Sequence, residues 1–213
     1  SKNKPTFRSE EIFFQNKHQQ AVEMLVVVGE IFPKQDILVV ADSWFGNQGL
    51  WKPLREKLGK RAHLLSRLRA NNNLYGLPHS PLVKRAGRPT KYGQHLGTTS
   101  SLAKANRDRA RETIVNLYGR LRTVWAYEQI VMQKTLKCPI RVVWVYRRTQ
   151  WIALFTTDLS LSVTEIIEYY GARWKIEAGF KELKQDIGSA ETQNRNPVAV
   201  QNHLNFCMMA TSL

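Results

Sequence analysis

The chain has 213 residues, 43% of them hydrophobic, and carries 32 Lys and Arg against 17 Asp and Glu, for a formal net charge of +15 and an isoelectric point of about 10.1. That length supports one sizeable core, alone or with an insertion, and a charge this positive points to a polyanion, with nucleic acid first and a membrane surface second. With no run of 18 or more apolar residues, no amphipathic basic anchor at either end and no secretory leader, the chain is not expected to span, coat or cross a membrane. Cys138 and Cys207 have no C-x-x-C spacing and no histidine cluster beside them, so they read as ordinary thiols of a reducing compartment.

In chain order, Ser9-Glu10-Glu11 opens a predicted helix that continues through Ala21, Leu25, Val28 and Ile31 and stops at Pro33. Residues 36–41 form a short, β-branched apolar run, the pattern of a buried parallel strand. Asp42 stands at its end, followed by Ser43, Trp44, Phe45 and Gly46. An acid at the tip of such a strand is where open α/β sheets place ligands; alternatively, Asp42 caps the helix expected from about Gln48. Residues 50–58 read as a helix and 60–68 as a second strand, completing a strand–helix–strand crossover.

Turn formers then cluster over residues 71–78. From Lys84 to Arg122 there are ten Lys and Arg against two acids. Within that run, Gly87-Arg88-Pro89 reads either as an arm entering a DNA minor groove through Arg88 or as a solvated basic loop. Residues 123–127, 141–146 and 151–155 are β-branched and aromatic, an antiparallel block with Pro139 separating the first pair of strands and a polar turn at 147–150.

Residues 162–188 read as one long helix, with Ser162 and Glu165 as a capping box and Gly188 as its stop. Ile176, Phe180, Leu183 and Ile187 recur at helical spacing as its buried stripe. Tyr170, Arg173, Glu177 and Lys184 fall within an arc of roughly 60° beside that stripe, at about 100° per residue, and Lys181 joins them. A carboxylate ringed by cations suits a site that holds a metal ion and grips phosphates; the competing reading is a solvated face with i,i+4 pairs such as Glu177–Lys181. Pro197 opens a final helix with Val200, Leu204 and Cys207 or Met208 on one face.

The spacing Tyr170-x2-Arg173-x3-Glu177-x6-Lys184 resembles the YREK signature of DDE-type transposases from bacterial insertion sequences. The stretch around Asp42 is similar to the strand end on which that family carries its second catalytic aspartate. The resemblance covers essentially the whole chain. It implies an α/β fold: a partial ribonuclease-H-like core, in segments 1–68 and 159–213, interrupted by a basic loop and β-rich insertion over 69–158. It implies divalent-metal-dependent cleavage and strand transfer of transposon DNA ends, with Asp42 and Glu177 as catalytic metal ligands for Mg²⁺ or Mn²⁺. Tyr170, Arg173, Lys181 and Lys184 would contact DNA phosphates, Arg88 would add backbone contacts, and Trp151 would stack a base drawn out of the duplex. The partner is double-stranded DNA, the working form a homodimer, and the place of action the bacterial cytoplasm at the nucleoid. One departure stands out. The family's first aspartate has no counterpart here, since residues 1–35 contain no Asp; the chain is therefore expected to be the C-terminal part of a longer protein and inactive by itself. Two competing readings are a non-catalytic DNA-binding remnant of a transposase and another ribonuclease-H-like nuclease.

Overall fold

The computed structural model describes residues 15–78 and 90–210. The expected crossover is present: β1 (Ile37–Val40) and β2 (Ala62–Arg67) pair in parallel, Ile37 opposite Ala62 and Val40 opposite Leu65, with α2 (Gln48–Leu58) between them. Ahead of β1 runs α1 (Lys17–Ile31), whose cap is Asn16 in a reciprocal box with Gln19; the expected start at Ser9 lies outside the described residues. The buried stripe of α1 also differs from the expected one. Val22 and Gly29 are buried, whereas Val28 and Ile31 are exposed. Gly29 sets this rotation, because a Cβ there would lie 2.5 Å from Leu58, so α1 turns its smallest side against α2. Arg61 closes the α1–β1 connection by donating to the carbonyls of Gly29, Phe32 and Gln35.

The sheet does not end at β2. It continues antiparallel into β8 (Gln150–Thr156), then β7 (Cys138–Arg147) and β6 (Arg120–Gln133), and on to the short strands β3 (Asn73–Tyr75) and β4 (His95–Thr98), with β5 (Arg111–Leu117) also paired to β6. One eight-stranded mixed sheet thus carries both the crossover and the β block. Four elements went unread in the sequence: β3, β4, β5 and α3 (Thr99–Ala105). The basic run hid β5, since Arg111, Glu112, Ile114 and Asn116 all face solvent and only Val115 is buried. Pro139 lies inside β7, opposite Met132, rather than separating two strands. Pairing of β7 with β8 begins only at Arg141, so the missing N–H leaves no partner unserved.

Two apolar layers flank the sheet. Trp144 and Phe155 are the largest fully buried side chains, and they pack with Val22, Leu50, Trp51 and Leu64 beneath α1, α2 and α3. Trp144 Nε1 donates to the Thr99 carbonyl and Tyr146 Oη to that of Ala103, so each aromatic spends its polar end on α3. On the other face, Leu65, Val143, Val145 and Leu154 meet Ile166 and Ile167 of α4 (Val163–Ala172).

The expected single helix over residues 162–188 is three segments. After α4 the chain tightens at Arg173, whose N–H reaches the Tyr170 carbonyl at 3.2 Å. It continues as α5 (Trp174–Lys181) and widens into a π-type turn over Glu182–Asp186, where Ile187 N–H bonds to Glu182 O at 3.0 Å. Gly188, at φ 76°, stops it as expected. The buried stripe is corrected too: Leu183 is buried, but Ile176 and Phe180 are each 57% exposed and α5 buries no residue at all. The last helix, α6 (Pro197–Ala210), buries only Cys207 and leaves Val200, Leu204 and Met208 exposed. No helix among the described residues is long and apolar enough to cross a membrane.

Candidate functional site

The C-terminal ends of the parallel strands β1 and β2 and the N-terminal end of β8 lie at the same end of the sheet, because β8 runs antiparallel to β2. Asp42 leaves the tip of β1 there. Its Oδ1 accepts from the backbone N–H groups of Trp44, at 2.8 Å, and Phe45, at 3.1 Å. The cap of α2 is instead Asn47, which accepts from Gly49 N–H, so the helix-cap alternative for Asp42 fails. The bend is anchored from below. Ser66, fully buried, donates from Oγ to the Asp42 carbonyl at 2.6 Å. Gly46 packs so close that a Cβ would lie 2.4 Å from that hydroxyl. Trp44, 44% exposed, stacks on His18 at 4.4 Å, and the same histidine ring contacts the Asn47 amide at 3.1 Å.

Glu177 comes to the same place from α5. A cleft of about 530 Å³ is lined by Asp42, Arg173, Glu177, Ile176 and Phe180, with Met24 and Leu25 of α1 and Val39 of β1 as part of its apolar wall. Two carboxylates 177 − 42 = 135 positions apart in the sequence thus face one cavity at a strand tip, the place where α/β folds hold ligands. Residues 13–213 match the transposase DDE domain family. The chain belongs to that family. No curated protein matches it.

Membership makes the α/β fold a ribonuclease-H-like transposase domain and the chain a protein of DNA transposition and recombination. Within the transposase domain, Glu177 pairs with Arg173 at 2.7 Å rather than with Lys181. Tyr170 and Trp174 flank the guanidinium, each ring centroid 5.6 Å from its Cζ. Partial burial works against the Arg173 charge, but the Glu177 hydrogen bond and the neighbouring Tyr170 outweigh it and raise its pKa further. Arg173 Nε is enclosed without a partner among the described residues. Lys181 and Lys184 are exposed. Lys184 sits in the π-type turn, where each residue advances through less than the α-helical angle, so it falls behind the arc drawn for a continuous helix.

The two carboxylates suit a hard divalent cation, which takes oxygen ligands. Among the described residues, Oδ2 of Asp42 and Oε2 of Glu177 make no hydrogen bond. No group of three or more His, Cys, Asp or Glu that could hold a metal occurs among those residues, so Asp42 and Glu177 would form part of a site.

Trp151 stands near the start of β8, opposite Tyr146 of β7, which is itself opposite Trp125 of β6. These three rings make one cross-strand row. Trp151 is half-buried against the core, whereas Trp125 is 53% exposed. Both line a cavity of about 510 Å³ with Arg122, Arg147 and Arg148, a pairing of aromatics with guanidinium groups suited to nucleic acid. Arg88 lies outside the described residues. Sequence reasoning missed Trp125, the His18–Trp44 stack and the Ser66 anchor. Trp125 had a signal, since it shares its strand's alternation with Tyr127, but the sequence did not give the register that aligns it with Trp151.

Proposed function

We propose that the domain catalyses divalent-metal-dependent cleavage and strand transfer of transposon DNA ends, by a cut-and-paste route, as a member of the YREK-bearing subgroup. The observation that carries this reading is the cleft that Asp42 and Glu177 share. These two carboxylates would hold Mg²⁺ or Mn²⁺, completed by a third aspartate on a strand that would pair with the edge of β1 left unpaired among the described residues. Such ions, when bound, activate the attacking water or 3′-hydroxyl and neutralise the leaving oxygen. Asp42 is presented by the turn that its own Oδ1 holds, so one carboxylate oxygen orients the loop while the other serves as ligand.

Arg173 has a double duty in this scheme. Its guanidinium carries five N–H donors in a fixed fork. One branch orients Glu177, and the remainder grips the phosphate beside the cleaved bond. Tyr170, Lys181 and Lys184 hold neighbouring phosphates, which position the end without reading its sequence. Trp151 stacks an extruded base, and Arg88 with the rest of the basic loop adds salt-dependent contacts. Segments 1–68 and 159–213 act as the catalytic core and 69–158 as the inserted DNA-holding part. The working assembly is a homodimer at the bacterial nucleoid, and residues 1–213 without the third aspartate are inactive.

The test is Glu177→Ala in a chain that carries all three carboxylates. Strand nicking with Mg²⁺ should fall to background while end binding persists. Placing a fluorescent base analogue at the transposon tip, in the same assay, reports stacking on Trp151. Retained nicking refutes the metal-ligand assignment, and an unchanged fluorescence signal in Trp151→Ala refutes the stacking role.

A further inference from the structure

Behind the Asp42 bend lies a second, smaller cavity of about 210 Å³, lined by Ser43, Asn47, Arg67, Arg69, Asn72 and Gln133 among others, none of them acidic. Gln133 ends β6 and is only 2% exposed. Its Oε1 is fully enclosed with no hydrogen-bond partner among the described residues. Of the residues buried as a whole, the other polar ones are served: Ser66 bonds to Asp42 O, Thr99 to Asn72 O, Asn106 to Leu102 O, and Thr156 accepts from Asp158 N–H; the further enclosed atoms without a partner, His63 Nδ1, Arg141 Nε and Arg173 Nε, belong to half-buried side chains. A buried amide left unpaired is costly and uncommon, so this one marks a place where a partner is missing.

The surrounding groups define the partner's charge. Arg67 and Arg69 are exposed, and neither guanidinium makes a hydrogen bond or ion pair among the described residues, which leaves both available to a ligand. The capped start of α2, an eleven-residue helix, is at the same wall through Asn47, and its unsatisfied N–H groups add partial positive charge. Two free guanidiniums, a helix start and neutral hydroxyl and amide groups, in a space too small for a whole nucleotide, fit one phosphodiester group. An arginine ordered by that phosphate has N–H groups to spare for the Gln133 oxygen.

We propose that this cavity holds a backbone phosphate of the DNA strand that passes the Asp42 bend, with Arg67 and Arg69 as its counter-charges, and that an arginine N–H ordered by the phosphate donates to the buried Gln133 oxygen. The identity of the strand rests on the transposon-end reading above; the anion pocket does not. Asp42 lines the carboxylate cleft and Ser43 and Asn47 line the phosphate pocket, so the same short bend separates the two. A strand clamped at Arg67 and Arg69 is thereby fixed in register relative to Asp42. The pocket is a positioning site, made of groups that bind without reacting.

The experiment is metal-free, so it is independent of cleavage. The side-chain amide signals of Gln133 are followed by ¹⁵N NMR during titration with inorganic phosphate and, separately, with a six-nucleotide single strand. Both titrations are expected to give a saturable shift at Gln133 that Arg67→Ala/Arg69→Ala abolishes. Gln133→Leu is the companion variant, expected to hold or raise the melting temperature because it removes an unpaired buried polar group, while weakening the oligonucleotide about tenfold. Arg69→Ala should lower the slope of log affinity against log salt by about one. Shifts elsewhere on the basic surface without one at Gln133 overturn the pocket while leaving DNA binding intact. A Gln133→Leu protein that melts lower and binds equally well also overturns it, since that is the behaviour of a purely structural glutamine. A phosphate shift at Gln133 without any oligonucleotide binding upholds the anion pocket and removes the transposon-end reading instead.

Discussion

Two consecutive stretches, α4 and α5, look alike in sequence and live in opposite surroundings. α4 presses Ile166 and Ile167 into the layer beneath β2, β7 and β8, at 0% and 5% exposure. α5 follows after a single residue and leaves Ile176 and Phe180 more than half exposed along the cleft. The first half of the expected helix is anchored by packing; the second is held by its connection to α4 and the π-type turn after it. Apolar periodicity in a sequence therefore says which face wants to be covered, and only the neighbouring elements say whether it is. In this domain the uncovered half carries Glu177.

The contrast can be broken most directly with a matched pair. Ile166→Ala removes a fully enclosed side chain and should cost about 2–5 kcal/mol. Ile176→Ala, at an exposed position, should stay within about 0.5 kcal/mol. Urea melts of the two variants give both numbers. Equal costs would mean that α5 is as firmly packed as α4.

How much of this was legible beforehand follows the same line. The β1–α2–β2 crossover was, because a β-branched run of four to six residues has one common meaning and Gly59 marked the helix end, with φ 63° in the structure. The β6–β7–β8 meander was, from its Val, Trp and Tyr content. β5 was not, since a strand with one buried residue in a cationic segment has no apolar alternation to show. Asp42 and Glu177 were legible as candidates through residue type and motif spacing, and the structure places both on one cleft. The second cavity was not, because Gln133 becomes informative only once its burial and its lack of a partner are known. Likewise Ser66 matters through a contact 24 positions away, and no local pattern announces that.

The start of α4 offers a smaller effect on its anchored side. Ser162 Oγ accepts from Glu165 N–H at 3.2 Å, and Glu165 Oε2 takes both the Ser162 hydroxyl and its backbone N–H. Those bonds hold the Glu165 carboxyl below its ordinary pKa. A depressed carboxylate stabilises the fold above its unfolded pKa, and the contribution disappears as the pH falls through the folded value. Ser162→Ala should cost about 1 kcal/mol at neutral pH. Its gap from the parent protein should narrow on acidification below the ordinary carboxylate range, as Glu165 protonates in both. Thermal melts across that range test it, and a gap that widens in acid contradicts the box.

The smallest expected effect lies on α5. Glu177 is 48% exposed and its partner Arg173 18%, a half-solvated i,i+4 pair whose coupling should be about 0.2–1 kcal/mol and weaken with salt. A double-mutant cycle with Arg173→Ala and Glu177→Ala isolates that coupling. A small value fits the proposed ligand role of Glu177, because a strongly coupled pair would resist the adjustment that ligation needs. It also separates stability from chemistry: on the proposed reading, Glu177→Ala in a chain with all three carboxylates would then abolish nicking while barely shifting the melt. A coupling well above 2 kcal/mol would instead make the pair the fastening of α5 to the end of α4. Glu177 would then be committed to structure, and the contrast between the two helices would rest on apolar burial alone.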